Sequence, residues 1–274
     1  MKDRFKIDEW QIIEEGFDPT LNKFAESVFS LGNGRMGHRA NFEETYSGNT
    51  LQGNYVAGVY YTDKTRVGWW KNGYPEYAAK VLNAANWIGI DIKIGAATLD
   101  LHYCKVTAFR RVLNMQEGYL ERSFIAALKD GRQVSVNARR FYSIVDDVAG
   151  AIRYRITPLN FEDNLVITPF IDGDVSNQDA NYGEKFWEEV SRESDNDRAF
   201  ITLRTRKTNF EVCTGMQVNI VQPGEAGNTA SRFIEKEKFI GRETTLWAKK
   251  GEEITIYKYG VNISSANTPK EELT

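Results

Sequence analysis

Residues 26–60, ESVFSLGNGRMGHRANFEETYSGNTLQGNYVAGVY, hold the choice between two fold classes. Within them Gly32-Asn33-Gly34-Arg35-Met36-Gly37 fits G-x-G-x-x-G, the phosphate-cradling turn of dinucleotide-binding α/β proteins. That turn works only between a strand and a helix that opens at its third glycine. The residues after Gly37, HRANFEETYSG, are too few and too rich in turn formers to build such a helix. Asn33-Gly34 instead separates two extended runs, 26–31 and 35–40. Asn-Gly between extended runs is the strongest short hairpin signal, because both turn positions favour positive φ. The stretch reads as a β-hairpin, and the nucleotide fold is set aside.

The same grammar continues downstream. Residues 91–94 and 98–102 alternate apolar and polar, the mark of half-buried strands. Runs 122–128 and 133–141 flank Lys129-Asp130-Gly131-Arg132, a hairpin with an Asp-Gly turn. Further strands are expected over 151–156, 164–171, 199–206 and 209–221, then over 244–248 and 253–259 around Lys249-Lys250-Gly251. Strand-length runs with turn chemistry between them predict a mainly β protein, a large two-sheet antiparallel β-sandwich. Two segments suggest one or two short helices. Residues 75–87, PEYAAKVLNAANW, set Tyr77, Val81, Leu82 and Ala85 near helical spacing, and 182–191, YGEKFWEEVS, would turn Phe186 and Trp187 inward. At the C-terminal end Thr268, Pro269 and Glu271 fit N-cap, N1 and N3 of a capping box. From these residues alone, a frayed tail and the start of a helix stand equal.

Composition narrows the partners. A formal net charge of −3 lacks the basic excess of a nucleic-acid or anionic-membrane binder. No run approaches the roughly 18 apolar residues of a membrane-spanning helix. The opening MKDRFKIDEW is charged and has no signal-peptide core. That favours the cytoplasm, although a periplasmic or secreted chain whose signal had been removed would read the same. Cys104 and Cys213 lie in separate β-like runs and read as core thiols.

Three stretches resemble, in order, the opening of glycoside hydrolase family 65, the maltose, trehalose and kojibiose phosphorylases and their hydrolytic relatives. Glu26-Ser27-Val28-Phe29-Ser30-Leu31-Gly32-Asn33-Gly34 matches E-S-x-F-S-L-G-N-G, Asn41-Phe42-Glu43-Glu44 matches N-F-E-E, and Gly58-Val59-Tyr60 matches G-x-Y. Asn83-Ala84-Ala85-Asn86-Trp87 is similar to N-x-P-N-W, with Ala85 where proline is usual. Residues 109–118 are similar to R-x-L-D-M-x-x-G with Asn114 for aspartate, and Thr157-Pro158-Leu159-Asn160 to T-P-L-N. From about Ala180 onward the likeness fades.

The resemblance implies a galactose-mutarotase-like supersandwich over residues 1–263, with 264–274 starting a helical linker to an (α/α) catalytic barrel. It implies inverting chemistry on glucosyl disaccharides, with the acid glutamate and the phosphate-binding groups in that barrel. No catalytic, metal or cofactor position carries over to this chain. The expected role is a non-catalytic N-terminal domain that supports the barrel and its assembly, inactive alone. Its expected partners are the barrel, the parent enzyme's α-glucoside substrate and a second copy in a homodimer. Two other readings stay open: an autonomous carbohydrate-binding module, and a mutarotase-like sugar epimerase that would need a histidine acid and a glutamate base.

Particular residues carry these readings. An apparent insertion, 61–74, holds Trp69, Trp70, Lys71 and Tyr74, a candidate substrate-shaping loop. Aromatic faces stack on sugar C–H faces, and the polar tips bond hydroxyls. Large rings in a loop are more often covered than presented, so packing against the sandwich or the barrel is the first reading of both tryptophans. Glu43 and Glu44 are adjacent, so in a strand they would face opposite ways and read as a solvated turn rather than an acid and base. His102 falls on the polar face of its run, and His38 on the hairpin's return strand reads as structural. No His, Cys, Asp or Glu set has metal-ligand spacing.

Overall fold

The computed structural model describes residues 5–65, 73, 75–177, 184–224 and 231–273. The alternating segments build a ten-stranded sheet. In spatial order its strands are Phe5–Ile7, Gln11–Glu15, Lys105–Asn114, Tyr119–Ala127, Gln133–Tyr142, Ala149–Pro158, Ile254–Ser264, Glu211–Val221, Arg198–Thr205 and Trp187–Asp195. A second sheet orders Ser231–Lys236, Phe239–Ala248, Asp163–Asp172, Ile90–Ile94 and Ala97–Thr98. Smaller sheets join Leu31–Gly32, Met36–His38 and Asn54–Val56, and pair Tyr60–Lys64 with Tyr77–Val81. The pairings between these strands are antiparallel, so the expected β-sandwich class stands.

Alternation decides which side chains enter the core. Val134, Val136, Ile152, Ile156, Ile254 and Ile256 of the large sheet share one buried cluster with Ile90, Ile92, Ile94, Leu165 and Ile167 of the second. Trp87 is fully buried in this cluster. The large sheet makes room for it by placing Gly150 directly opposite Gly260. A Cβ at Gly260 would lie 2.1 Å from the Trp87 ring, and one at Gly150 would lie 3.0 Å from it. The glycine pair is a notch cut to the indole.

Both predicted hairpin turns form, with Gly34 at φ 92° and Gly131 at φ 88°. Other expectations need correction. The run 26–31 is not extended: Asn22–Val28 is an α-helix, and only Leu31–Gly32 is strand. Asn22, Ala25, Glu26 and Phe29 recur at helical spacing and are all buried, a periodicity that outweighs the β-branched Val28. Residues 75–87 are not helical either. Tyr77 and Val81 are exposed in a strand paired with Tyr60–Lys64, and 82–87 enters the core without regular structure apart from one bridge, Asn86 to Asp172. Phe186 and Trp187 point inward as expected, but Trp187–Asp195 is a strand. It turns back at Asn196, φ 50°, onto Arg198–Thr205. Residues 98–102 are strand only at Thr98, after which Asp100 accepts the His102 N–H in a turn. The C-terminal capping box does not form. Lys270–Glu272 is a single 3₁₀ turn with Pro269 at its N-cap, and the Thr268 N–H bonds Ser264 O.

Candidate functional site

The N-F-E-E segment, Asn41 to Glu44, passes beneath the large sheet in a bend rather than a strand. Glu43 and Glu44 are both buried. In a bend the two-residue alternation that would send them apart does not hold, and both carboxylates reach Arg122. Arg122 Nη1 donates to Glu44 Oε1 at 2.5 Å, and Nη2 donates to Glu44 Oε2 and to Glu43 Oε2, each at 2.6 Å. Arg140 Nη1 donates to Glu43 Oε1 at 2.7 Å and to the Asn41 carbonyl at 2.8 Å. The Tyr154 hydroxyl adds a bond to Glu44 Oε2 at 3.3 Å. The solvated turn is therefore overturned: this is an enclosed set of two carboxylates and two guanidiniums.

Charge balance governs its chemistry. Burial pushes the Glu43 carboxyl up, but Arg140 and then Arg122 outweigh it and hold it below the ordinary carboxylate range. Burial also works against the Arg122 charge, yet Glu44 and Glu43 keep that guanidinium firmly protonated. Burial lowers Arg140 and raises the Tyr154 phenol well above its usual value. A general base needs a carboxylate free to take up a proton near neutral pH. Carboxylates fixed by two arginines are cross-links instead.

A cleft of about 260 Å³ opens beside this network, lined by polar side chains such as Asn41, Thr50, Gln52 and Asp91 and by the rings of Phe42, Tyr46 and Phe170. Thr45 donates to Asp91 at 2.7 Å at its edge. A larger cleft of about 510 Å³ lies between Tyr103, Lys129 and Asp130. Cys104, half-buried, lines it, and burial pushes its thiol up to about 11, outside the range of a reactive thiolate. Cys213 is buried, as expected of a core thiol.

His38 is buried between Trp87 and Tyr142, with ring centroids 6.3 and 4.9 Å away. Burial and then Arg140 hold its imidazole well below the usual value. A neutral, enclosed imidazole is ill suited to be a general acid. His102 is exposed on its turn. Trp69, Trp70, Lys71 and Tyr74 lie outside the described residues.

Sequence reading missed the arginines and Lys258. Each had a signal: a charge on the apolar phase of an alternating strand. Arg122 falls in Leu120-x-Arg122-x-Phe124, Arg140 in Ala138-x-Arg140-x-Tyr142, and Lys258 in Ile256-x-Lys258-x-Gly260. Lys258 is fully buried and bridges to the second sheet, its Nζ donating to the carbonyls of Gly89 and Phe170 at 2.7 Å each. The other sequence words are local staples. Asn114 Oδ1 accepts the Glu117 N–H at 3.0 Å, as an aspartate there would. Asn160 ties the Asp-Gly hairpin, accepting from Gln133 N and donating to Gly131 O.

The model of the N-terminal domain of glycosyl hydrolase family 65 matches residues 12–274. The chain is 42% identical to maltose phosphorylase of Bacillus subtilis (strain 168) over 206 residues, 75% of this chain and 27% of that protein. It is 26% identical to kojibiose phosphorylase of Caldanaerobacter subterraneus subsp. tengcongensis over 272 residues, 97% of this chain and 34% of that one. With alpha,alpha-trehalose phosphorylase of Thermoanaerobacter brockii it shares 27% over 266 residues, 93% of this chain and 34% of that one. A solved structure from the human microbiome, provisionally assigned as a kojibiose phosphorylase, superposes with a TM-score of 0.84 over 97% of this chain and 34% of that chain, at 23% identity. At that identity the likeness is one of fold. The chain spans 27% to 34% of the length of these relatives.

Proposed function

Because this chain belongs to glycosyl hydrolase family 65, whose N-terminal domain it matches over residues 12–274, we propose that it is the non-catalytic N-terminal domain of an inverting enzyme that cleaves glucosyl disaccharides by phosphorolysis. The extent of that match, against a chain about a third as long as its relatives, carries the reading. The relatives named above are phosphorylases, which favours phosphate over water as the attacking group. In such a reaction an acid protonates the leaving oxygen while the nucleophile attacks the opposite face of the sugar. The Glu43 and Glu44 carboxylates are committed to Arg122 and Arg140, and this supports placing that acid outside the chain.

In this proposal the chain contributes a rigid scaffold for a helical barrel, with residues 264–274 leading toward it. Trp69, Trp70, Lys71 and Tyr74 help shape the sugar pocket. The direct test incubates the purified chain with maltose, kojibiose and trehalose, with and without inorganic phosphate. Neither glucose nor glucose 1-phosphate should appear, whereas the full-length parent should release glucose 1-phosphate from one of the three. Turnover by the repurified chain alone would overturn the reading. For the loop, Trp69→Ala with Trp70→Ala in the parent should change the ranking of disaccharides.

A further inference from the structure

The outer face of the ten-stranded sheet has a composition at odds with free solvent. In register, Tyr119 opposes Phe141, Phe141 opposes Ala151, and Ala151 opposes Tyr259. Directly opposed residues of antiparallel strands share one face. Phe141 and Tyr259 are 45% and 49% exposed, and in the adjoining turn Ile144 and Val145 are 84% and 101% exposed. That turn is braced. Asn33 Nδ2 donates to the carbonyls of Ser143 and Asp147, and Arg35 pairs with Asp147 at 3.0 Å. Apolar side chains are thus held out on a fixed support, the kind of patch that marks an interaction site.

The next row adds charge. Arg139 stands directly opposite Arg153, an arrangement that repels unless anions answer it. Glu121 pairs with Arg139 at 2.6 Å. Among the described residues no carboxylate pairs with Arg153, and its buried Nε has no acceptor. On the same face Arg155 reaches Asn137 and, at 3.8 Å, Glu253, and its Nε too lacks an acceptor. Aromatic side chains and arginines are enriched in the cores of protein interfaces. A second copy is disfavoured as occupant, because a two-fold contact offers only the same face in return, and its carboxylates Glu121 and Glu253 are already paired with Arg139 and Arg155.

We propose that this face docks an acidic, carboxylate-bearing surface of the parent polypeptide outside this chain. Its carboxylates would meet Arg153 and Arg155, and its apolar residues would cover Phe141, Ile144, Val145 and Tyr259. The inference rests on the reading of the chain as one domain of a longer enzyme. A covalently joined partner docks at high effective concentration, so a modest patch suffices.

Hydroxyl-radical footprinting of this chain and of the full-length parent tests it. Oxidation of Phe141, Ile144, Val145 and Tyr259 should slow several-fold in the parent. Arg153→Glu should restore their oxidation there while leaving the thermal midpoint of the short chain unchanged. Equal rates in the two proteins would overturn the proposal, as would protection that survives Arg153→Glu. Protection that develops in the short chain with concentration, alongside a dimer in sedimentation, would overturn it in favour of a second copy. A parent without a further domain defeats the functional reading itself, whereas a parent with a barrel and an unprotected face defeats only this surface.

Discussion

Arg122 grips Glu44 side-on, Nη1 on Oε1 at 2.5 Å and Nη2 on Oε2 at 2.6 Å, with both side chains at most 5% exposed. Such a pair draws its value from completeness, because removing one ion leaves the other desolvated and uncompensated. Arg122→Met should therefore cost about 3–5 kcal/mol of unfolding free energy in urea titration. Adding Glu44→Leu should recover most of that loss, since an apolar pair replaces an orphaned charge. A single mutant with near wild-type stability would mean that Glu43 and Glu44 find other partners.

Acid should expose the same network. The folded-state Glu43 carboxyl lies below its unfolded value, so its contribution is complete above the unfolded pKa, about 4.3, and drains away as pH falls through the folded value. Stability measured from pH 6 downward should drop more steeply in the wild type than in Glu43→Gln. Parallel curves would remove Glu43 as a source of acid sensitivity.

Lys258 acts at the other end of the scale. Burial holds its amine well below the ordinary lysine range, with Asp91 opposing only in part. The unfolded chain then binds more protons than the folded one between that depressed value and about pH 10.4. Stability should rise with pH across this window. The wild type minus Lys258→Met difference should carry that slope, since the methionine variant cannot titrate there. A pH-independent difference would show Lys258 in one protonation state throughout.

The glycine notch predicts a steric failure. Gly260→Ala places a methyl where the Trp87 ring already sits. Overpacking of this kind costs roughly 1–3 kcal/mol, read as a lower thermal midpoint with altered tryptophan fluorescence. Gly251→Ala serves as the contrast. No atom lies within 4 Å of the added carbon there, and only the strain of φ 80° is at stake.

Local rules carried far in this protein. Strand-length runs bounded by turn residues located the strands Tyr119–Ala127, Gln133–Tyr142, Ala149–Pro158 and Asp163–Asp172 to within a few residues and the first half of Ile254–Ser264, whereas alternation over 98–102 misled beyond Thr98. Asn33-Gly34 and Asp130-Gly131 marked turns for an equally local reason, tolerance of positive φ, although only the glycine of each pair, Gly34 and Gly131, takes it. The ordered words from Glu26 to Asn160 pointed to the family that the comparisons then showed. The strand Ser231–Lys236 passed unread, since an exposed edge imposes no apolar alternation on it.

The β class, the principal hairpins and the family were thus legible in the order of residues alone. Segments of about seven residues were left to the tertiary structure, because an isolated helix of that length does not hold in water. Asn22–Val28 is helical through its buried face, and Tyr77–Val81 is extended through its partner Tyr60–Lys64. The meaning of each buried charge was likewise a tertiary decision. Glu44 meets Arg122 across 78 residues of sequence, Glu43 meets Arg140 across 97, and Lys258 reaches Gly89 across 169. A charge shows on its own strand only that it sits on the apolar phase. Whether it is a solvated turn, an acid or a cross-link depends on the group that folding brings opposite it, and no local pattern records that.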